Sequence, residues 1–379
     1  MAGLDRERGS STVTDVESLA AVGTGRGLPE RAKVLDTLDA ILGPSRSRDR
    51  PVGVALYGPP GSGKTELALT CGARFERNGG TVIHLECTPE DTLFGCCRRI
   101  ANELGDELPE SGLALETART RAIDRIHDAP GPRCIIVDDV AVLPSDVRRE
   151  LFLDVLDAVS ADAALAVVAT STELAVRNDF DARERSLLGD SERALPAYDE
   201  DQLREIVDRR VGRAFDDAAI GPALVDGAVE AALDRGGDVG YALELVAAAA
   251  EVAAADDSFP ITDTDLAHAR EQVAIEDVVA QIEGLRPHHL FALRGLCALA
   301  AADDTPARVG TAFRAYVEAC QSVGEEPNTE RSLQNYVRRL VEIGIVDCEE
   351  VRTDTGGKFN QYELARPRRE VSAALDALQ

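Results

Sequence analysis

Lysine is almost missing from this chain. Lys33, Lys64 and Lys358 are the only three in 379 residues, so nearly all of the positive charge is arginine. Acidic residues outnumber basic ones 68 to 41, for a formal net charge of −27. Ordinary acidic proteins carry lysine and arginine in comparable numbers. Heavy Asp and Glu with little Lys and abundant Ala and Val is the composition of a protein that stays hydrated in molar salt, and it predicts a halophile's protein. Paired cysteines are missing too: Cys71, Cys87, Cys96, Cys97, Cys134, Cys297, Cys320 and Cys348 show no C-x-x-C spacing. That excludes a zinc ribbon or disulfide framework and predicts small core residues in a reducing compartment. Met1 to Glu17 lacks the apolar core of a secretion signal. The most apolar stretch, Ala242 to Ala255, is interrupted by Glu244 and Glu251 and is unfit to span a membrane. No internal repeat is present. A cytoplasmic protein with no membrane partner is expected, long enough for two or three domains.

What is present begins with Gly58-Pro59-Pro60-Gly61-Ser62-Gly63-Lys64-Thr65, which fits G-x-x-x-x-G-K-[ST]. Val52 to Tyr57 before it reads as a buried strand and Glu66 to Arg77 after it as a helix. The bland alternative is a glycine-rich turn ending in Lys-Thr, but the strand–loop–helix context makes the octapeptide a phosphate cradle. Glycines let backbone N–H groups converge on an anion at the positive end of the following helix. Lys64 is then expected to reach the β- and γ-phosphates of ATP or ADP, and the Thr65 hydroxyl to hold Mg²⁺.

Along the chain, residues 1–25 read as a flexible arm. From 26 to 197, short β-branched runs (52–57, 81–86, 134–138, 165–170) alternate with helical stretches (66–77, 91–104, 113–127, 146–159). That order predicts an α/β domain, a parallel sheet with helices on both faces. Residues 198–282 read as helices only (200–214, 220–235, 240–255, 263–281) and suit a helical lid. Residues 283–379 offer helices near 288–301, 307–322 and 329–343. Two β-like runs follow, 345–352 and 358–364, around the Thr353-Asp354-Thr355-Gly356-Gly357 turn signal. Three helices and a hairpin are the order of a winged helix-turn-helix.

Cys134 to Asp139 is an apolar strand ending in two carboxylates. Alone, it is as compatible with an ordinary strand end as with a metal site; after a phosphate loop, Asp138 is expected to hold Mg²⁺. The ensemble of phosphate loop, acidic strand, lid and winged helix resembles the AAA+ ATPases of the archaeal replication-initiator group, the Orc/Cdc-six proteins, over nearly all of 26–370. Leu28-Pro29-Glu30-Arg31 looks like that family's entry motif. Asp181 to Ser186 is similar to its arginine-finger stretch, making Arg183 and Arg185 candidates to act on a neighbour's nucleotide. Tyr198 and Arg210 match positions that contact nucleotide. Gly237-Asp238 with Tyr241-Ala242-Leu243 is similar to the lid motif called sensor two, and 328–346 to the DNA-reading helix and turn into the wing.

Three positions depart from the family pattern. Asp139 stands where a Glu usually orients water, Thr172 where sensor one presents Asn, and Gly240 where the lid motif carries Arg. A carboxylate one methylene short is withdrawn by about an ångström, which can cost roughly a hundredfold in rate. The resemblance therefore implies ATP binding with slow or absent hydrolysis, unless a nearby residue such as Arg235 substitutes.

The net charge of −27 argues against nucleic-acid binding, but its distribution is uneven. Residues 281–379 hold 12 basic and 15 acidic residues, and 331–369 hold 8 basic and 6 acidic. In the helix 329–343, Leu333, Val337, Leu340 and Val341 share one face. Arg331, Asn335 and Arg338 project opposite, flanked by Gln334 and Arg339, a surface suited to base edges in a major groove. Lys358 is placed at the wing. The resemblance implies origin DNA as partner, with a replicative helicase and self-association on DNA as further expectations. Two alternatives stay open: a DNA-binding regulator switched by nucleotide, and an NTPase scaffold whose winged helix binds protein.

Overall fold

The buried run Val52–Tyr57 forms β1, the strand on which the phosphate loop is mounted. In the computed structural model the described residues are 19, 31–43, 52–89, 91–160, 165–188, 191–256, 258–352 and 358–378. The expected arm 1–25 (apart from Leu19), Leu28 to Glu30 of the entry motif and the Gly356-Gly357 turn lie outside them. The chain divides into two compact units, Met1–Asp263 and Thr264–Gln379.

In the first unit, β1 joins β2 (Thr81–Glu86), β3 (Arg133–Asp138), β4 (Leu165–Ser171) and β5 (Glu192–Ala194) in a five-stranded sheet of order β2-β3-β4-β1-β5. All four pairings are parallel. Parallel strands need crossovers, so helices pad the faces. α1 (Ala32–Leu42) and α2 (Lys64–Arg77) cover one side, their Leu35, Leu38, Leu67 and Cys71 packing on Val54, Ile136 and Val168. α3 (Leu93–Glu103) and α4 (Leu115–Asp128) share the core formed with Ile83, Ile135 and Val167.

The stretch expected as one helix over 146–159 is α5 (Ser145–Glu150), a π-helical turn Leu151–Leu156, and α6 (Asp157–Ser160). Two further elements follow β4: the short α7 (Ala182–Leu187) and the edge strand β5. The stretch expected as a lid, 198–282, contains α8 (Glu200–Ala214), α9 (Leu224–Asp234) and α10 (Val239–Ala255), while its fourth expected helix, 263–281, falls almost wholly in the second unit. Small side chains such as Ala228, Ala232, Ala242, Ala249 and Ala253 are buried there, so the apolar 242–255 run is a core helix.

The second unit holds α11 (Asp263–Ile282), α12 (Pro287–Ala301), α13 (Val309–Ser322), α14 (Glu330–Glu342) and α15 (Arg368–Ala377). A three-stranded sheet of order β6-β8-β7 joins β6 (Ala307–Arg308), β7 (Val346–Arg352) and β8 (Lys358–Leu364). β7 and β8 are the antiparallel wing. Tyr316, Leu293, Leu333, Val337, Leu340 and Val371 form its core. All eight cysteines are free and all are buried except the exposed Cys348 on β7, which corrects its assignment to the core. Among the described residues no helix is long and apolar enough to cross a membrane.

Candidate functional site

The loop from β1 to α2 takes the shape its glycines permit. Gly61 and Gly63 have φ of +66° and +83°, a region L-residues rarely occupy. A Cβ at Gly61 would collide with the Asp238 carboxylate and lie 2.5 Å from the Asp238 Cα; one at Gly63 would lie 2.6 Å from the Tyr198 hydroxyl. Pro59 accepts the Ser62 N–H at 3.3 Å and the Lys64 ammonium at 2.8 Å, and Gly58 N–H reaches Ser171 O on β4 at 3.2 Å. Pro60 completes the loop. Burial lowers the Lys64 pKa, against the opposing pull of Asp139, Asp138 and Asp238.

Arg31 braces the cradle from below. Its guanidinium donates to Ser62 O at 3.1 Å and to Pro196 O at 2.5 Å, and lies over the Tyr198 ring at 4.2 Å. Tyr198 is thereby fixed between Arg31 and Gly63. Arg210 is buried on α8 beside Ile206 and Val207. At the lid, Asp238 caps α10 by accepting the Tyr241 N–H at 3.2 Å, placing the start of α10 on the phosphate loop. Arg235 stacks on the Tyr241 ring at 3.6 Å.

The two carboxylates at the end of β3 differ in environment. Asp138 Oδ1 accepts the Thr65 hydroxyl at 3.0 Å and the Thr170 hydroxyl at 2.5 Å. His84 Nε2 on β2 lies 3.8 Å from Asp138 Oδ2, an ion-pair separation too long for a hydrogen bond. Burial works to raise the Asp138 pKa, but His84, Thr170 and Thr65 together hold it below the usual carboxylate value. The facing Asp138 in turn raises the His84 pKa. Asp139 adopts a left-handed backbone, φ +55°, and its N–H donates to Thr170 Oγ1 at 2.8 Å. Burial raises its carboxyl pKa against the opposing pull of the Thr172 backbone N–H and Lys64, and its Oδ1 is buried with no hydrogen-bond partner among the described residues. The hydroxyl joining both aspartates is that of Thr170, not that of Thr172.

Arg183 and Arg185 are both exposed on α7. Asp181 and Glu184 form a capping box at its start, and Glu184 is buried 3.9 Å from the buried Arg148, whose guanidinium lies over Phe180. Arg183 is held by an ion pair with Asp157.

In the second unit, Thr329 caps α14 by accepting the Ser332 N–H at 3.3 Å. Leu333, Val337 and Leu340 are buried, whereas Arg331, Gln334, Asn335, Arg338 and Arg339 are exposed. Arg338 donates to Asn335 Oδ1 at 3.1 Å and Arg339 pairs with Glu342 at 3.3 Å. Lys358 is not unopposed: it pairs with Glu350 on β7 at 2.6 Å. Its partner in strand register is Arg352, a cation not among the DNA-facing residues expected from the sequence. Gln334, Arg338, Lys358, Asn360 and Tyr362 line a cavity of about 510 Å³ between α14 and the wing.

A phosphate loop on a five-stranded parallel sheet, an acidic strand beside it and a helical lid define an AAA+ type nucleotide-binding protein; here the same chain carries a winged helix. Residues 48–176 match the AAA domain family and residues 280–374 the family of the CDC6 C-terminal winged helix domain. The ORC1-type DNA replication protein 2 of Haloarcula marismortui is 26% identical over 368 residues, spanning 92% of this chain and 87% of that protein. The ORC1-type DNA replication protein of Thermococcus kodakarensis is 25% identical, spanning 90% and 85%. The solved structure of the Aeropyrum pernix ORC1 protein in complex with DNA shares the fold at a TM-score of 0.85, with 24% identity and 97% of each chain covered. The chain thus carries an AAA domain and a CDC6-type winged helix domain, and is similar over most of its length to ORC1-type DNA replication proteins.

Proposed function

We infer that this protein is an ATP-binding initiator of DNA replication that recognises origin DNA through α14. The observation that carries this is one chain joining two things: the Thr65–Asp138 contact beside a phosphate cradle, and a CDC6-type winged helix exposing Arg331, Gln334, Asn335 and Arg338. The relatives' names as replication proteins, and the solution of one similar structure with DNA, support it.

The cradle fits a triphosphate. The left-handed Gly61 and Gly63 leave room that any Cβ would fill, and Lys64 is buried within reach of the loop. Gly58 to Lys64 would hold the phosphates, with Tyr198 and Arg210 toward the rest of the nucleotide. Thr65 and Asp138 would hold Mg²⁺, which supplies charge neutralisation between phosphates. Asp139 orients water poorly because its side chain is one methylene shorter than the usual Glu, so hydrolysis is slow. Arg185 is the better candidate for action in trans, because Asp157 already engages Arg183. Self-association on DNA and delivery of a replicative helicase belong to the same account.

Base contacts by α14 matter more here than phosphate attraction, because counterion release contributes little in molar salt. A nucleotide-switched regulator is the second reading, favoured by the slow-hydrolysis residues Asp139 and Gly240. Titrating the full chain in concentrated KCl with ATP plus Mg²⁺, and separately with duplex DNA, tests the proposal. Uptake of both supports it, uptake of nucleotide alone transfers the winged helix to a protein partner, and uptake of neither ends it.

A further inference from the structure

The corner where the start of α12 meets α14 gathers cationic and aromatic groups. The Tyr336 ring on α14 stacks against His288 at 5.8 Å, with 11° between planes, and lies 4.9 Å from the His289 ring. The Tyr336 hydroxyl accepts the Asn328 amide at 2.8 Å. Asn328 N–H donates to the hydroxyl of the fully buried Tyr316 at 2.9 Å, and that hydroxyl also meets His288 Nδ1 at 2.8 Å. One network therefore fixes α12, α13 and the segment entering α14 to the same side of α14.

Charge is concentrated at this point. His289 Nδ1 lies 3.3 Å from the Arg286 carbonyl. Burial first, and then the nearby Arg286, Arg339 and His288, lower the His289 pKa. Arg286 is exposed, and no carboxylate among the described residues pairs with it. Such a gathering runs against a chain in which acids outnumber bases 68 to 41. Arg339 already pairs with Glu342 at 3.3 Å and the lowered pKa leaves His289 a neutral donor, so Arg286 is the cation of this corner with no carboxylate partner among the described residues.

The position on α14 is specific. At 3.6 residues per turn, Gln334 and Val341 lie on the edge toward the wing and line the cavity there. Tyr336 and Arg339 lie on the other edge, with the exposed Arg331, Asn335 and Arg338 between the two. The α12 corner and the wing thus flank the exposed face on opposite sides.

We propose that this corner is a phosphate-contact site for duplex DNA, in which Arg286, with His289 and Arg339, receives the sugar–phosphate strand bordering the groove that α14 enters. The site rests on the DNA-facing role given to α14 above. Guanidinium forks match phosphate oxygens, and such contacts set register without reading sequence. The Tyr336–Asn328 contact positions the corner relative to the base-reading side chains.

The test is the salt dependence of affinity for a labelled mixed-sequence duplex, measured by fluorescence anisotropy on the full chain with ATP and Mg²⁺. Wild type is compared with Arg286→Gln, Arg286→Lys and Arg338→Ala. Arg286→Gln is expected to weaken binding about equally on every sequence and to reduce the slope of log affinity against log salt by about one. Arg286→Lys keeps the charge and should restore most of that slope. Because Arg286 is exposed, neither variant disturbs the core. A wild-type slope in Arg286→Gln, with Arg338→Ala still impaired, overturns the corner and leaves the role of α14 standing. Unchanged DNA binding with lost self-association makes it a protein contact and also overturns the proposal. No duplex binding by wild type overturns both.

Discussion

Thr170 bridges the paired carboxylates: its hydroxyl donates to Asp138 at 2.5 Å and accepts the Asp139 N–H at 2.8 Å. One strand-end hydroxyl thereby fixes the orientation of the Asp138 carboxylate and the left-handed backbone of its neighbour. We predict that Thr170→Val, similar in shape, leaves the sheet folded but removes both contacts and weakens Mg²⁺-dependent nucleotide binding. Calorimetry with and without Mg²⁺ checks this, and an unchanged Mg²⁺ effect would remove Thr170 from the site. The stability cost should be about 1–3 kcal/mol, the range for a buried polar group left unpaired.

Asp139 is the second test. If its length limits hydrolysis, Asp139→Glu raises ATP turnover by about ten- to a hundredfold. Steady-state phosphate release measures it. A rate already high in wild type, and unmoved or lowered in the variant, means that Asp139 is competent as it stands.

Gly61 carries a structural prediction. Its φ of +66° and the close approach of Asp238 leave no space for a methyl group. Gly61→Ala should cost about 1–2 kcal/mol in backbone strain alone and displace the start of α10, with loss of ATP affinity. Wild-type ATP affinity in a folded Gly61→Ala protein would contradict the cradle as described.

The acidic composition leads to a solvent prediction. With a net charge of −27, self-repulsion destabilises the compact state until salt screens it. Thermal unfolding followed in rising KCl should show a steep increase in Tm, and full stability in dilute buffer would remove the halophile interpretation.

Much of the fold was legible because its signals are contiguous. The phosphate loop, β1 and α2 occupy one stretch, and α14 shows its buried Leu333, Val337 and Leu340 at helical spacing. The edge strand β5 was not legible: three residues, Glu192 to Ala194, pair on one side only and carry no apolar alternation. Residues 368–377 had an apolar pattern in Val371, Ala374 and Leu375 but followed the wing and went unread. The site's surroundings were hidden for a different reason. His84 and Thr170 flank Asp138 only because β2, β3 and β4 are neighbours in the sheet, and no local spacing carries that information. A polar Thr170-Ser171 ending the apolar strand Leu165–Ala169 was the available hint. The ion pair between Lys358 and Glu350 likewise depends on hairpin register.

The most direct test of the account is nuclease protection of the source genome's replication-origin DNA by the full chain, in concentrated KCl with ATP and Mg²⁺, beside Arg338→Ala. Discrete protected repeats that vanish in Arg338→Ala, while that variant still binds ATP, are the predicted result. Absence of protection at any origin by folded, ATP-bound wild type would contradict it.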